Sequence, residues 1–213
     1  MIYYSPVNGD VLQEPVLWRP KTAFIMQQLG DPVPDAVLDA RRAIDQVLKR
    51  TGWSAIDASD EVTGQDYLAK IWKLILTCPV GIALVHEGIG PSTLANIFYE
   101  LGMLQAYGRE TVVIRIGKAS IPSDFIRSEW IPTGPSFKQQ LGKYIKGLAV
   151  RETYYRQMAE LVERNPLLAI DYLRRATLLS GDAGLRLRAR RILDESGIGE
   201  RSKASVEQLM LEF

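Results

Sequence analysis

The chain has 213 residues, 46% hydrophobic and 24% charged, and its 26 basic and 25 acidic side chains leave a net charge of +1. That length suits one full domain plus an extension, and the balanced charge gives no electrostatic ground for a nucleic-acid partner or a polybasic membrane contact. The single cysteine, Cys78, has no internal disulfide partner, and there is no Cys/His cluster for a metal site.

The first residues, Met1-Ile2-Tyr3-Tyr4-Ser5-Pro6, have no basic flank and no apolar core of signal-peptide length. No run approaches the length of a membrane span, so the expectation is a cytoplasmic protein with no membrane partner. Residues 1–21, with Pro6, Gly9, Pro15 and Pro20, read as an irregular arm on the domain or as one edge strand. Residues 22–26 begin a sheet. Val37, Ala40, Ile44, Val47 and Leu48 recur at helical spacing and predict a helix over 35–51, with Gly52 as its stop. A short strand over 53–57 follows, then an amphipathic helix over 65–77 with Leu68, Ile71, Trp72 and Ile75 on one face.

Residues 80–86, Val-Gly-Ile-Ala-Leu-Val-His, form a continuous apolar run bounded by turn residues, which reads as a central parallel strand. The loop Glu87-Gly88-Ile89-Gly90-Pro91 leads to a helix over 92–107, with Ser92 as its expected N-cap. A strand over 111–116 and a closing helix over 137–148 complete the pattern. Strands and helices in alternation favour a doubly wound parallel sheet of the α/β class, residues 22–150, with right-handed crossovers. Beyond it, 151–213 reads as an all-α C-terminal extension broken at Asn165-Pro166, Gly181, Gly197 and Gly199. Met158, Leu161 and Val162 make one apolar stripe there, and Leu185, Ala189, Ile192 and Leu193 another. The extension's dense arginines, Arg186, Arg188, Arg190 and Arg191, read as a solvated face, because its 11 basic residues are matched by 10 acidic ones.

The most informative stretch is Asn96-Ile97-Phe98-Tyr99-Glu100-Leu101-Gly102. Open α/β sheets bind ligands just outside the carboxyl ends of their strands, which is where the loop before this helix lies. Asn96 and Glu100 are four apart and share one helix face. Glu100 is thus expected to overhang a ligand crevice. Its alternative is an ordinary ion pair with Arg109 or Arg115. An early position on the helix is expected to keep it ionised through the helix dipole.

This stretch, with Gly108-Arg109-Glu110-Thr111-Val112-Val113-Ile114 after it, resembles the "N-V-x-Y-E-L-G … A-x-G-K-x-V-I" signature of TIR-like nucleotide-binding domains and the related nucleoside deoxyribosyltransferases. Ile121-Pro122-Ser123-Asp124-Phe125 up to Ile131 is similar to their "P-x-D … Y-I" element. Together the matches span residues 22–148. The chain departs from the pattern at Trp130, where a Tyr is usual, and in lacking an Asp-x-Gly-Thr run before the helix.

The resemblance implies a flavodoxin/TIR-like fold and an N-glycosidase with Glu100 as its catalytic carboxylate. It also implies NAD as substrate rather than cofactor, antiphage or immune roles, and a homo-oligomer assembled through the helical extension. A deoxyribosyltransferase with a covalent Glu100 intermediate and a non-catalytic nucleotide-sensing module remain open beside it. Nicotinamide leaves a cationic ring as a neutral molecule and needs no proton, whereas a purine or pyrimidine needs an acid. The candidates for that acid are His86, Asp57, Asp60 and Asp66. His86 equally suits a strand-end histidine bonded to backbone.

Asn96 can hold a ribose hydroxyl or bond to its own helix turn. Tyr99 either stacks on a base or packs. Met26, Gln27 and Gln28 at the end of the first strand either read a base edge or form an ordinary loop. Asp57 can bind ribose hydroxyls by analogy with dinucleotide folds. The Gly88-Ile89-Gly90 pair alone is too little for a dinucleotide-binding loop, and no Walker-type phosphate loop is present.

Overall fold

A computed structural model describes residues 9, 17–30, 32–60, 67–122, 130–197 and 199. The elements are β1 (Thr22–Met26), α1 (Asp35–Arg50), β2 (Ser54–Asp57), α2 (Tyr67–Thr77), β3 (Val80–His86), α3 (Pro91–Ala106), β4 (Glu110–Ile116), β5 (Trp130–Pro132), α4 (Phe137–Leu161), α5 (Pro166–Ser180) and α6 (Ala183–Glu195). Five strands form one all-parallel sheet in the order β2-β1-β3-β4-β5. This is the doubly wound α/β sheet that the alternating pattern predicts, followed by helices. The chain divides into two compact units, Thr22–Lys146 and Met1–Lys21 with Gly147–Phe213.

β3 lies at the sheet's centre, and all seven of its residues are buried. Such a strand is covered on both faces, which is why its sequence is continuously apolar rather than alternating. Its side chains still alternate between layers. Ala83 and Val85 join Phe24, Met26 and Val113 under Ile71, Leu74 and Ile75 of α2 and Ile97, Leu101 and Leu104 of α3. The alternate positions, Ile25, Ile82, Leu84, Val112 and Ile114, are equally buried and face the other layer. There α1 meets α4, with Lys138 Nζ bonded to Gln46 Oε1 at 2.8 Å.

Local signals end the helices where the sequence places them. After α1, Gly52 takes φ +74°; its N–H reaches Lys49 O and that of Trp53 reaches Leu48 O, closing a Schellman turn. Gly81 serves packing instead. A Cβ there would stand 2.3 Å from Leu104 Cδ1 and 3.0 Å from Met26 Cε, so its absence lets α3 settle on β3.

Three expectations change. Ser92 is not the N-cap of α3: Gly90 is, with Pro91 at the first helical position and no side-chain cap. A fifth strand, β5, pairs with β4 through Ile114 and Ile131. The closing helix does not stop at Leu148, because α4 continues to Leu161.

In the helical unit, α5 is buried along most of its length from Ala169 to Leu179. Asn165 caps it by accepting from Leu168 N, Pro166 opens it and Gly181 ends it in the left-handed conformation. The stripe Leu185, Ala189, Ile192 and Leu193 is buried as expected. The first stripe is not: Leu161 is exposed, and Tyr155 and Ala159 are the buried positions of that stretch. Arg188 pairs with Glu160 at 3.0 Å. The described end of the N-terminal arm belongs to this unit. Lys21 N donates to Leu178 O at 2.8 Å, and the Arg174 guanidinium stacks 4.5 Å from the Trp18 ring. No helix of the described residues is long and apolar enough to cross a membrane.

Candidate functional site

The chain leaves β1 for β2 through α1 on one layer, and reaches β3, on the other side of β1, through α2 on the opposite layer. The loops after β1 and β3 therefore part at a topological switch point, the place where such sheets open a crevice. Met26, Asp57 and His86 end the three strands that meet there.

Glu100 is the tenth residue of α3, which begins at this edge. At 1.5 Å per residue it lies about 13 Å along the axis from the helix start. It therefore does not overhang the strand tips; it lies partway down the helix. Its phase is set by Asn96, Glu100, Met103 and Tyr107, which recur at steps of four, three and four on one flank. Tyr107 Oη bonds Trp72 Nε1 of α2 at 3.3 Å, so this flank faces the α2 side. Thr93, half-buried and three residues before Asn96, continues the same flank toward the crevice. Thr93, Asn96 and Glu100 thus form a polar track from the sheet edge downward. Sequence reasoning missed Thr93, although its spacing to Asn96 and Glu100 was readable.

Burial raises the Glu100 carboxyl from 4.5 to about 7. This overturns the expectation of a dipole-stabilised anion: ten residues in, the group is far past the first turn where the dipole acts. Among the described residues it has no hydrogen-bond or ion-pair partner. The expected alternative, an ion pair with Arg109 or Arg115, does not form. Arg109 donates to Leu76 O at 2.5 Å, and Arg115 stacks 5.1 Å from the Trp130 ring.

His86 does not join Glu100. By strand alternation it shares the layer of Ile82 and Leu84, opposite the layer of α3. It is buried, and both ring nitrogens are engaged: Nδ1 lies 2.7 Å from Glu87 O and Nε2 lies 2.9 Å from Gln28 Oε1. As a proton donor to a substrate beside Glu100 it is ruled out by this placement. Gln28 is equally committed, since its Nε2 donates to Gly30 O at 2.9 Å and to Pro32 O at 3.1 Å. It braces its own loop and does not present a free amide to a base.

Asp57 is buried and saturated. Its Oδ1 accepts from Ser59 N at 2.8 Å and from Ser59 Oγ, and its Oδ2 accepts from Arg41 Nη1 at 2.7 Å and Gln27 Nε2 at 3.3 Å. Four bonds fill a carboxylate's capacity, so neither a ribose contact nor proton donation fits Asp57, and Gln27 is drawn into the same network. Asp60 accepts from Asp57 N at 2.8 Å. Met26 is 1% exposed and packs in the α2/α3 core.

Asn96 is exposed and makes no side-chain hydrogen bond among the described residues, so it is not tied to its own helix turn. Tyr99 is 55% exposed and points about a hundred degrees away from Glu100, neither packed nor on the polar track. Asp66 and the Ser123-Asp124-Phe125 element lie outside the described residues. Among the described residues, no group of His, Cys, Asp and Glu is placed to hold a metal ion. No family model, no curated protein and no solved structure matches the chain, so the resemblance to TIR-like domains rests on its motifs alone.

Proposed function

We propose that the α/β unit is a nucleotide N-glycosidase of TIR-like type that releases nicotinamide from NAD, with Glu100 as its catalytic carboxylate. The observation that carries this is the half-buried carboxyl, without an ion-pair partner among the described residues, held near 7 on the polar flank of α3. A glutamate in an ion pair would suit a structural role. One left unpaired at a desolvation cost suits chemistry.

In the proposed reaction the bond from ribose C1′ to the pyridine nitrogen breaks, and its electron pair neutralises the departing ring. Positive charge builds on the ribose, as in other glycosyl transfers, and ionised Glu100 stabilises it. Water then adds to C1′ and loses a proton. A carboxylate whose proton affinity is matched to neutral pH suits acceptance of that proton. In this reading Asn96 and Thr93, on the same flank, hold sugar hydroxyls.

The choice of a cationic leaving group over an ordinary nucleoside rests on the proton donors. His86 and Asp57 are both fully bonded, and His86 lies on the other layer. A base that must be protonated as it leaves has no dedicated acid among these two. Incubation with NAD and a panel of nucleosides, with base release followed by chromatography, tests the reading. Nicotinamide should appear from NAD faster than any base from the nucleosides. Incorporation of labelled free base into nucleoside would point instead to the deoxyribosyltransferase reaction.

The helical unit is the proposed self-association element, a reading supported by Leu161 at 79% and Leu187 at 71% exposure. Light scattering of the full chain and of a Leu161→Glu, Leu187→Glu variant checks it. An oligomer that falls to monomer mass in the variant supports assembly through this unit, and an unchanged mass or a monomeric parent contradicts it.

A further inference from the structure

We propose that the end of β4 is an anion site, where the Arg115 guanidinium, braced on the Trp130 ring and joined by Lys118, takes the phosphate group of a small ligand. The site is separate from Glu100 and its chemistry. Gln105 of α3 donates to Thr111 Oγ1 of β4 at 3.1 Å, so that flank of the helix faces β4. Gln105 and Glu100 are five apart, about 140° around the helix, which puts α3 between the Glu100 carboxyl and Arg115.

Arg115 is the sixth of the seven residues of β4, at the carboxyl edge where open α/β sheets take their ligands. Register partners in neighbouring parallel strands share a face, and β5 sets Trp130 beside Val113 and Pro132 beside Arg115. Val113 lies in the α2/α3 core, so Arg115 and Trp130 both belong to the α3 layer, with Trp130 on the edge strand. The guanidinium carbon lies 5.1 Å from the centroid of the Trp130 ring.

Among the described residues no oxygen accepts from this guanidinium. Its Nε is buried without a hydrogen-bond partner, and its Nη pair is neither bonded nor fully buried. Arg41, Arg156, Arg175 and Arg188 are equally half-buried, and each donates to a carboxylate. Arg115 has a ring in that place. A ring engages the flat face of a guanidinium and leaves the N–H donors along its edge free. The indole thus holds the plane of the fork without using its donors, at the cost of a desolvated Nε. A fork held in this way matches two oxygens of an incoming anion.

Lys118, exposed in the turn after β4, makes no ion pair among the described residues. Of their carboxylates, Glu87 is nearest in register, two residues past Val85, the β3 partner of Arg115. Its Oε1 accepts from the backbone N–H of Lys118 at 2.8 Å, and it pairs with neither cationic side chain. Two cations against one carboxylate leave this strand end positive. Phosphate suits it better than a carboxylate does. The Arg115 fork takes two oxygens, which exhausts a carboxylate, whereas phosphate keeps a third for Lys118, three residues on. The ligand is small, because a net charge of +1 provides no field for a nucleic-acid backbone.

The experiment is a nuclear magnetic resonance titration of the full chain with inorganic phosphate at about pH 8, where phosphate is dianionic. It follows the Arg115 Nε–H and the Trp130 indole N–H, which Arg115→Lys and Trp130→Phe variants identify. Both signals should shift and saturate with phosphate, and sodium acetate should bind more weakly. Arg115→Lys, read at the indole, should weaken phosphate by at least ~10-fold although it keeps the charge, because the planar fork is lost. Lys118→Gln, an exposed change, should weaken it by about 2- to 5-fold. A second arm uses glycerol phosphate: an ester that binds at least as tightly as inorganic phosphate supports a phosphate-bearing ligand, and binding of the free ion alone overturns it. Shifts that match those given by sodium chloride at equal ionic strength also overturn the proposal, as do acetate binding as tight as phosphate and undiminished binding in Arg115→Lys.

Discussion

Replacing Glu100 by glutamine should stabilise the fold, and only above the ordinary carboxylate range. The folded carboxyl is raised to about 7 against 4.5 in the absence of burial. A raised carboxyl favours the folded state while it is protonated. That contribution is complete below about 4.5 and is lost as pH rises through about 7. At about 1.4 kcal/mol per pH unit, ionised Glu100 costs the folded protein ~3 kcal/mol. Glutamine keeps the shape and hydrogen-bonding capacity and never ionises, so it avoids this cost. With about 2–4 °C per kcal/mol for a protein of this size, the midpoint gain above neutral pH has a ceiling of roughly 6–12 °C. The assay is thermal unfolding of both proteins from about pH 4 to about pH 8.5, reading the difference between them. The difference should be near zero in acid and grow through neutrality. A difference of equal size at both ends, or a glutamine variant less stable at the alkaline end, would show that burial does not raise the Glu100 carboxyl.

Asp171 gives the opposite sign. Burial alone would raise it, but Arg174 at 2.5 Å and Arg175 at 2.9 Å hold its carboxyl below the usual range. Its stabilisation is therefore present above that range and lost as pH falls through it. Asp171→Asn, which removes the carboxylate charge bonded to buried Arg174, should cost ~3–5 kcal/mol at neutral pH and less in acid, read by urea unfolding. Gly81→Ala should cost ~1–3 kcal/mol by the same assay, because its Cβ meets fully buried Leu104 and Met26; a neutral outcome would mean that α3 shifts freely on β3.

The sheet was legible because its signals are local. The apolar run of β3, the helical spacing in α1 and the turn at Gly52 each specify their element without help from the rest of the chain. β5 was not legible: three residues, Trp130–Pro132, ending in proline and paired with a single strand, carry no periodicity. Nor was the continuity of α4, since a change of composition near Val150 is not a helix stop, and no glycine or proline stands between 148 and 161.

At the site, the spacing of Asn96 and Glu100 gave their shared flank, but not their depth. Depth follows from where α3 starts on the sheet. The protonation of Glu100 depends on tertiary burial, which outweighs any dipole so far from the helix start. Strand alternation separates His86 from Ala83 and Val85, yet which layer receives α3 emerges only once the crossovers are built. The saturation of Asp57 needed Arg41, sixteen residues away on another element.

In the proposed function Glu100 drives cleavage of a glycosidic bond. The direct measurement is nicotinamide release from NAD by the parent and by Glu100→Gln, each shown to be folded, across the neutral pH range. Release by the parent should rise as Glu100 ionises near 7, and the variant should release at least ~10² less. Equal release by the two proteins would remove Glu100 from the mechanism, and no release by the parent at any pH would contradict the activity itself.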